Sequence, residues 1–189
     1  MKILVTYALE AERGDIHIPD CSVTFCCSGI GKVSTAIHLY EALLTEKPDL
    51  VLNVGTAGTL RHQVGEIVIC SGFFDRDLVK ISDFGVNCRL NFSGELAALD
   101  LFKNHQINHV VSTGDTFQTE QSESGAEGDV FDMEAYSGAQ VCKKLGLPYV
   151  SVKYVTDVIG QNSIKHWEDK LHEAREGLAD FLSGLRFQL

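Results

Sequence analysis

Residues 130–158, VFDMEAYSGAQVCKKLGLPYVSVKYVTDV, contain the alternation that decides the fold class. A short apolar run, Val130–Met133, predicts a strand, and the segment Glu134–Leu145 predicts a helix that the following Gly and Pro terminate. A second β-rich run, Tyr149–Tyr154, predicts another strand. A strand, a helix and a strand in this order are typical of a layered α/β protein.

The same alternation extends over the rest of the chain. Apolar residues three and four positions apart predict an amphipathic helix over Ile30–Thr45, and a long final helix is predicted over Ile164–Leu185. The apolar side chains of the first helix are Val33, Ile37, Tyr40, Leu43 and Leu44. Further β-rich runs predict strands at Lys2–Tyr7, Ser22–Cys27, Leu50–Asn53, Glu66–Phe74 and His109–Ser112.

The domain organisation follows from chain length and from the scarcity of linker signals. The 189 residues include three prolines and no low-complexity tract that would mark a linker. A chain of this length can bury a substantial core without disulfides or metals. We therefore expect a single domain, residues 1–189, with a three-layer α/β fold in which helices flank a central mixed β-sheet.

Composition and charge exclude several classes of partner. With 16 Lys plus Arg against 26 Asp plus Glu, the formal net charge is -10. This charge repels nucleic-acid phosphates and anionic membrane surfaces. The sequence has no run of about twenty apolar residues and no signal-peptide pattern at its N terminus. We expect a cytoplasmic protein with no nucleic-acid or membrane partner.

The cysteine and histidine patterns do not indicate a metal site. The six cysteines form no CxxC pair and four lie inside apolar runs, so we interpret them as reduced core residues. Apart from the HxxxH spacing of His105 and His109, the seven histidines show no spacing typical of a metal site, which favours surface or capping roles. No metal and no cofactor are expected.

Three carboxylates follow apolar strands: Glu12, Glu134 and Asp157. Because strand ends in a mixed or parallel sheet converge at one edge, these side chains can meet in one site. Each also has a structural alternative, since a carboxylate in the first turn of a helix or at its N-cap stabilises the helix. Without a Cys or Ser nucleophile, several carboxylates suit cleavage through a cationic transition state. One acid protonates the leaving group and another carboxylate activates water.

Two glycine-rich segments, SGIGKV (28–33) and NVGTAG (53–58), each follow an apolar run. Neither the dinucleotide-binding GxGxxG spacing nor the phosphate-binding GxxxxGK[ST] spacing is satisfied. They are interpreted as tight strand-to-helix turns in which Gly supplies a positive φ. The alternative is that their backbone N–H groups line a crevice for a small ligand.

Two acidic features have simpler interpretations. The polar stretch 115–129 predicts a mobile loop beside a site, and its residues Glu120, Glu123 and Glu127 are expected to form a solvated acidic face. The residues Asp75 and Asp77 flank Arg76, which predicts a solvated or interface ion pair.

Taken in order, these segments resemble one family, the purine nucleoside phosphorylase and uridine phosphorylase superfamily, in particular its 5′-methylthioadenosine/S-adenosylhomocysteine nucleosidase branch. The segment MKILVTYALEAE (1–12) is similar to that branch's opening strand and turn, and STGDTF (112–117) to its S-G-D-x-F segment. FDMEA (131–135) resembles V-E-M-E-A and TDV (156–158) resembles S-D-V, a specific pair in this order. The two glycine segments and VGEIVI also match.

The resemblance implies a nucleoside phosphorylase-like fold and a role for each matching residue. Glu12 would activate water, Asp157 would protonate N7 of the base, and Glu134 would hold the ribose hydroxyls. Lys153 stands where the family has an Arg that positions the Glu and the water, and Thr56 stands where it has Ser. The other implied contacts are Met133 at the sugar face, Phe117 and Gln118 at the purine, Thr56, Ala57 and Gly58 around the base and water, and Ile30, Leu9 and Trp167 about the 5′ group.

The resemblance also implies an activity and an assembly. Phosphorylases of the superfamily carry arginines near the opening glycine turn and before the GT turn, where this chain has an unaccompanied Arg13 and residues 52–54, LNV. Hydrolysis of a purine nucleoside with an apolar 5′ substituent is therefore expected, in purine nucleoside catabolism and methionine salvage. Leu78 and Ile81 fall in the stretch that the family lends to the neighbouring subunit's pocket, which implies a homodimer.

Three alternative functions stay open. The segment after Glu12 and the loop before Glu134 are shorter than in the nucleosidases, where both help to close the site. Futalosine, which has a bulky 5′ tail, is therefore a competing substrate. A nucleoside phosphorylase of the same fold is the second alternative, and a catalytically silent nucleoside-binding protein is the third. In each case the partner is a small-molecule purine nucleoside.

Overall fold

The computed structural model describes residues 1–119, 127–161 and 163–186, without the side chains of 163 and 164. The acidic stretch 115–129 is thus described only at its ends, and Glu120 and Glu123 lie outside the described residues. The strands are β1 (Lys2–Tyr7), β2 (Ser22–Cys27), β3 (Leu50–Thr59), β4 (Ile67–Asp75), β5 (Arg89–Asn91), β6 (His109–Thr113), β7 (Val130–Asp132) and β8 (Tyr149–Val158). The helices are α1 (Lys32–Thr45), α2 (Ser93–Ala97), α3 (Ala135–Leu145) and α4 (Ser163–Gly184), and short 3₁₀ helices cover Glu10–Glu12, Val79–Phe84 and Asp100–Phe102.

In the described part of the chain, these strands form one mixed sheet. β1 pairs in parallel with β2 and β3, and β3 pairs in parallel with β8. β4 and β7 run parallel to β6, whereas the β8–β4 and β7–β3 pairs are antiparallel. The strands β3, β8, β4, β6 and β7 therefore pair in a closed ring, which brings together strand ends that are distant in sequence.

The core lies along the first halves of β3 and β8. Residues 50–52 and 149–150 have no exposed surface. Helices α3 and α4 pack on β8, and α1 packs beside α3. The buried side chains Ala135, Ala139 and Cys142 recur at helical spacing on α3. The predicted fold class, a mixed sheet flanked by helices, is confirmed.

The segment NVGTAG is not the turn that the sequence predicts. It lies inside β3, which continues to Thr59, and neither Gly55 nor Gly58 has a positive φ. Both glycines instead allow a charged side chain to approach the strand. A Cβ on Gly55 would lie 3.2 Å from Oε1 of Glu12, and one on Gly58 would lie 3.0 Å from Oδ2 of Asp157. The other segment contains the expected positive φ at Gly29 and Gly31.

The apolar side chains of α1 also lie where the sequence alone does not place them. Only Thr35 and Leu39 of this helix are buried. The exposed fraction is 71% for Val33 and 64% for Leu44, and Ile37 and Tyr40 of the predicted stripe are also exposed. The chain by itself therefore leaves one apolar face of α1 uncovered.

The cysteine interpretation is right for four residues and wrong for Cys27. Cys26, Cys70, Cys88 and Cys142 are free and buried, Cys21 is partly buried, and Cys27 is exposed. Cys27 is the last residue of β2, which forms one edge of the sheet. β5 and α2 are absent from the sequence predictions because three to five residues carry no readable period.

The charges around Arg76 differ from the predicted solvated pair. Asp75 is buried, and Nζ of Lys32 lies 3.1 Å from Oδ1 of Asp75 and 2.7 Å from Oδ2 of Asp77. Lys32 is thus the cation that these aspartates bind, and Arg76 is available for other partners.

No helix among the described residues has both the length and the hydropathy that crossing a membrane requires.

At the acidic stretch, Glu127 is exposed, as predicted, and forms an ion pair with Arg89.

Candidate active site

A cavity of about 260 Å³ opens between the first 3₁₀ helix, β3, β7 and β8. It contains every site residue predicted from the sequence except Lys153. Those residues are Leu9, Glu12, Ile30, Thr56, Ala57, Gly58, Phe117, Gln118, Met133, Glu134, Asp157 and Trp167. The remaining wall is formed by Ala8, Arg76, Phe131, Asp132 and Thr156.

Glu12 is held at the cavity by the turn that follows β1. Glu12 is the last residue of the 3₁₀ helix Glu10–Glu12 and is only 6% exposed. Oε2 accepts a hydrogen bond from the backbone N–H of Leu9 at 3.2 Å. Oε1 accepts two from Thr56, at 3.0 Å from the backbone N–H and at 2.8 Å from the hydroxyl. These bonds fix the orientation of a carboxylate that has little contact with solvent.

Trp167 extends this arrangement from the final helix. Its indole Nε1–H donates to Oγ1 of Thr56 at 2.9 Å, so the hydroxyl that donates to Glu12 also accepts from Trp167. The indole ring lies edge-on to Phe117, with 6.3 Å between ring centroids. A tryptophan that is distant in sequence thus contributes both an apolar wall and a hydrogen bond.

Glu134 lies between β7 and α3 and is buried. Its Oε1 accepts a hydrogen bond from the backbone N–H of Gly31 at 2.8 Å, which ties the first glycine turn to the cavity. Burial, followed by the negative charge of Asp132, raises the pKa of Glu134 from 4.5 to about 7. Burial disfavours the charged form of this carboxyl and a neighbouring carboxylate repels it.

Lys153, which the resemblance places among the substrate-binding residues, lies behind the cavity wall and is not one of the residues that line it. Its side chain is 2% exposed and its Nζ lies 2.9 Å from Oδ2 of Asp132. A Cβ on Gly55 would lie 3.5 Å from that Nζ and 3.2 Å from Oε1 of Glu12. The ammonium of Lys153 and the carboxylate of Glu12 therefore both lie next to Gly55. Burial lowers the pKa of Lys153, but the charges of Asp132 and Glu134 outweigh burial and raise it above its usual value.

Asp157 is inside β8, not after it as the sequence predicts, because β8 extends to Val158. Its carboxyl is 2% exposed, and Oδ1 accepts a hydrogen bond from the hydroxyl of Thr156 at 2.9 Å. The absence of a side chain at Gly58 leaves the space that Oδ2 occupies. Asp157 therefore reaches the cavity from β8, the strand that pairs with β3.

Sequence reasoning missed Arg76 and Asp132. The guanidinium of Arg76 donates to four backbone carbonyls and thereby joins the ends of β6 and β7 to the segment that carries Phe117. The acceptors are Ser112 at 2.6 Å, Asp132 at 2.9 Å, Gly114 at 3.1 Å and Thr116 at 2.6 Å. Asp132 lies in the FDMEA motif, and this position could have identified it as a site residue. Arg76 binds backbone carbonyls, which every residue has, so the sequence contains no pattern that identifies its partners.

The charge balance of the site is negative. The carboxylates Glu12, Asp132, Glu134 and Asp157 are each at most 8% exposed. Among the described residues around them, only Lys153 and Arg76 provide positive charge, two fewer cations than four ionised carboxylates would need for neutrality. A negative field in a site with little water stabilises a positively charged transition state. A carboxyl group can also transfer a proton and a carboxylate can accept one, so the arrangement suits acid–base cleavage of a glycosidic bond.

Comparison with known proteins gives the family. A family model described as the phosphorylase superfamily matches residues 7–185. The 5′-methylthioadenosine/S-adenosylhomocysteine nucleosidase of Marinomonas sp. (strain MWYL1) is 31% identical over 171 residues, which cover 79% of this chain and 74% of the relative. The enzyme of the same name from Bacillus pumilus (strain SAFR-032) is 30% identical over 176 residues, which cover 82% and 76%.

Solved structures share the fold. The S-adenosylhomocysteine nucleosidase of Streptococcus pyogenes, in complex with 5-methylthiotubericidin, has a TM-score of 0.80 at 20% identity, covering 96% of this chain and 94% of that one. A futalosine hydrolase mutant of Helicobacter pylori also has a TM-score of 0.80 at 20% identity, covering 96% of both chains. Because the family model and the nucleosidase relatives each span most of the sequence, the chain belongs to the phosphorylase superfamily and, within it, to the 5′-methylthioadenosine/S-adenosylhomocysteine nucleosidase family.

Proposed function

We propose that this protein is a nucleosidase that hydrolyses the N-glycosidic bond of a purine nucleoside with an apolar 5′ substituent, of the 5′-methylthioadenosine/S-adenosylhomocysteine type. The observation that carries the proposal is the meeting of three buried carboxyl groups, Glu12, Glu134 and Asp157, in one cavity. The family of the chain supports the same reaction. The products are the free base and the ribosyl sugar.

The three carboxyl groups divide the reaction between them. Asp157 donates a proton to N7 of the base, and the C1′–N9 bond breaks with its electron pair moving to the base. The sugar becomes cationic at C1′, and water adds there while Glu12 accepts a proton from it. Glu134 accepts hydrogen bonds from the ribose hydroxyls. The negative field of the four buried carboxylates stabilises the cationic sugar.

The remaining contacts position the purine and the sugar. Phe117 packs on the purine, and the backbone at Phe117 and Gln118 binds the edge of the base. Met133 packs on the sugar face. The residues Thr56, Ala57 and Gly58 line the region of the base and the water. Lys153 is a positioning residue in this proposal, since it lies behind the wall beside Glu12 and Asp132.

The 5′ end of the substrate is assigned to the apolar part of the wall. Leu9, Ile30 and Trp167 line this part of the cavity. An alkylthio tail can pack against such side chains without leaving a polar group unpaired. A charged tail would be buried there without a partner, which is costly. An apolar 5′ substituent is therefore favoured over a phosphate.

Water is favoured over phosphate as the acceptor. Arg76 is the only Lys or Arg among the described residues that line the cavity, and its guanidinium already donates to four carbonyls. Arg13 lies outside the wall, with its guanidinium 4.4 Å above the ring of Phe25. A phosphorylase needs a cation that is free to bind the phosphate.

The proposed assembly is a homodimer in which the apolar face of α1 is covered by a second copy. Exposed apolar side chains of α1 run from Val33 to Leu44, and the turn Val79–Phe84 adds Ile81 at 42% exposure and Phe84 at 85%. Large exposed apolar patches mark interaction surfaces. Leu78 and Ile81, which belong to or adjoin this turn, are proposed to lie near the partner's pocket.

A cytoplasmic location is also proposed. All six cysteines are free in the structure. Free thiols, one of them exposed, are compatible with a reducing compartment.

An assay of base release tests the function. The purified protein is incubated with methylthioadenosine, adenosylhomocysteine, adenosine, inosine and futalosine, with and without inorganic phosphate. We expect release of adenine from the alkylthio substrates without phosphate. Preferential cleavage of futalosine would change the substrate, and ribose 1-phosphate formed only with phosphate would replace hydrolysis by phosphorolysis. Ligand binding without release of any base would leave only a binding protein.

A further inference from the structure

Two histidines and one aspartate from different parts of the chain meet outside the cavity. His62 follows β3, His109 begins β6, and Asp129 immediately precedes β7. None of the three lines the cavity. β6 and β7 begin at this cluster, whereas the cavity is lined by the last two residues of β7, Phe131 and Asp132.

The geometry of the cluster matches a site for one ion. Each residue offers a ligand atom, and the three atoms lie within 4.8 Å of one another. The rings of His62 and His109 are 5.2 Å apart and nearly perpendicular, at 78°. Side-chain exposure is 13% for His62, 20% for His109 and 24% for Asp129. The ligand atoms are therefore near each other and only partly accessible to solvent.

His62 is oriented by a carboxylate. Its Nδ1 lies 2.9 Å from Oε1 of Glu66, and a carboxylate in that position accepts the Nδ1 proton. Nε2 of the neutral ring is then left with its lone pair available. Histidines that bind metals usually donate their other ring N–H to a carboxylate or a carbonyl in this way.

Asp129 is also held in place before any ion arrives. Its Oδ2 accepts the backbone N–H of Val110 at 2.8 Å, and its carbonyl accepts the hydroxyl of Thr59 at 2.9 Å. Oδ2 also lies 3.7 Å from Nδ1 of His109, and the guanidinium of Arg61, with 64% of its side chain exposed, lies 4.0 Å from Oδ1. An exposed ion pair at this distance contributes little and does not block the carboxylate.

We propose that His62, His109 and Asp129 bind one divalent transition-metal ion of the zinc class. Two imidazoles and a carboxylate form a ligand set that Zn²⁺ accepts, with water in the fourth position. Magnesium and calcium prefer oxygen ligands and are not expected to compete. The bound ion joins the β3–β4 connection to the beginnings of β6 and β7 and stabilises that edge of the fold.

Equilibrium dialysis of the metal-free protein against Zn²⁺, followed by metal analysis, tests the proposal. All proteins carry Cys27→Ser, because an exposed thiol also binds Zn²⁺. We expect one ion per chain, and its loss in His62→Ala and in Asp129→Asn. Glu66→Gln should weaken binding by about 10- to 100-fold, because it removes the group that orients His62. The control His172→Ala changes an exposed histidine of α4 and should bind as the parent does.

Thermal unfolding supplies a second measurement. Zn²⁺ should raise the Tm of the parent and of His172→Ala in a concentration-dependent manner, because the ion binds the folded state. It should leave the Tm of His62→Ala unchanged. Circular dichroism of each variant without metal confirms that it is folded. Less than stoichiometric binding by the parent, or equal binding by the parent and His62→Ala, would overturn the proposal.

Discussion

Oε1 of Glu12 accepts two hydrogen bonds from Thr56, one from the backbone N–H at 3.0 Å and one from the hydroxyl at 2.8 Å. The hydroxyl in turn accepts the indole N–H of Trp167 at 2.9 Å. The first 3₁₀ helix, β3 and α4 are thus linked by hydrogen bonds through the hydroxyl of Thr56. In the proposed reaction the carboxylate of Glu12 accepts a proton from water, so its orientation determines where the water attacks.

Thr56→Val removes the hydroxyl but keeps the branched shape and the backbone N–H. A hydrogen bond to a charged group contributes about 1.5–3 kcal/mol. We therefore expect kcat to fall about 10- to 100-fold, with a smaller change in KM, because the bond orients Glu12 rather than the substrate. Steady-state kinetics with methylthioadenosine measure both constants.

Thr56→Ser is the matched control, because it restores a hydroxyl without the methyl group. We expect it to retain most of the activity of the parent. If Thr56→Val is as active as Thr56→Ser, the hydroxyl does not orient Glu12 for catalysis.

Asp157→Asn tests the proposed acid. Asn is nearly the same size but cannot donate a carboxyl proton to N7, so we expect kcat to fall by about 10²- to 10⁴-fold. The fold should persist, since the amide oxygen can still accept the hydroxyl of Thr156. Asp169→Asn, at an exposed position of α4, is the control. Near-parental activity of Asp157→Asn would assign proton donation to another group.

Part of this site was predictable because its residues occur in short local motifs. Glu12, Glu134 and Asp157 each follow an apolar run, and the order of FDMEA and TDV is specific. Their meeting in one cavity is observed, while their roles remain proposals. The Lys153–Asp132 pair and the carbonyl contacts of Arg76 had no such signal, because their partners lie on other elements.

Two errors in the fold predictions have physical causes. Gly55 and Gly58 have a high local preference for turns, but tertiary contacts hold them in β3, where small size admits Glu12 and Asp157. The apolar stripe of α1 was recognised by its period, but periodicity does not tell which partner covers a face. Similarly, His62 and His109 show no metal-binding spacing, because their proximity arises from the sheet.

Lys153→Met tests the buried ion pair. The substitution leaves Asp132 charged and buried without its cation, which costs about 3–5 kcal/mol of the free energy of unfolding. Combining it with Asp132→Asn removes the unpaired charge and should recover part of that loss. Urea denaturation of the single and double variants measures these changes.

The exposed pair of Lys143 and Glu95 provides the contrast. Nζ of Lys143 lies 2.7 Å from Oε1 of Glu95, but 49% and 39% of the two side chains are exposed. Lys143→Met should cost less than about 1 kcal/mol. If Lys143→Met and Lys153→Met lower the free energy of unfolding equally, burial does not determine how much the Lys153–Asp132 pair contributes to stability.

The raised pKa of Glu134 predicts a pH dependence of stability. The folded state holds this proton up to about pH 7, whereas an ordinary Glu loses it near 4.5. The free energy of unfolding should therefore decrease by about 3 kcal/mol as the pH rises through this window. Glu134→Gln has no charge to acquire and should lose that part of the dependence.

Urea denaturation of the parent and Glu134→Gln between pH 5 and pH 8, expressed as a difference, isolates this contribution. The variant should gain stability relative to the parent as the pH increases. Glu41→Gln, at an exposed position of α1, should give a constant difference. A constant difference for Glu134→Gln as well would exclude a raised pKa at this position.

The proposed dimer predicts that a charge on the exposed face of α1 separates the subunits. Val33 is 71% exposed in the single chain, so Val33→Glu should leave each subunit folded. Analytical ultracentrifugation should give twice the 20.8 kDa chain mass for the parent and the chain mass for Val33→Glu. The control Lys165→Gln, at an exposed position of α4, changes the net charge by the same amount and should remain dimeric. A parent that sediments as a monomer at micromolar concentration would refute the dimer. If Val33→Glu is monomeric and fully active, the 3₁₀ helix Val79–Phe84 does not complete the partner's pocket.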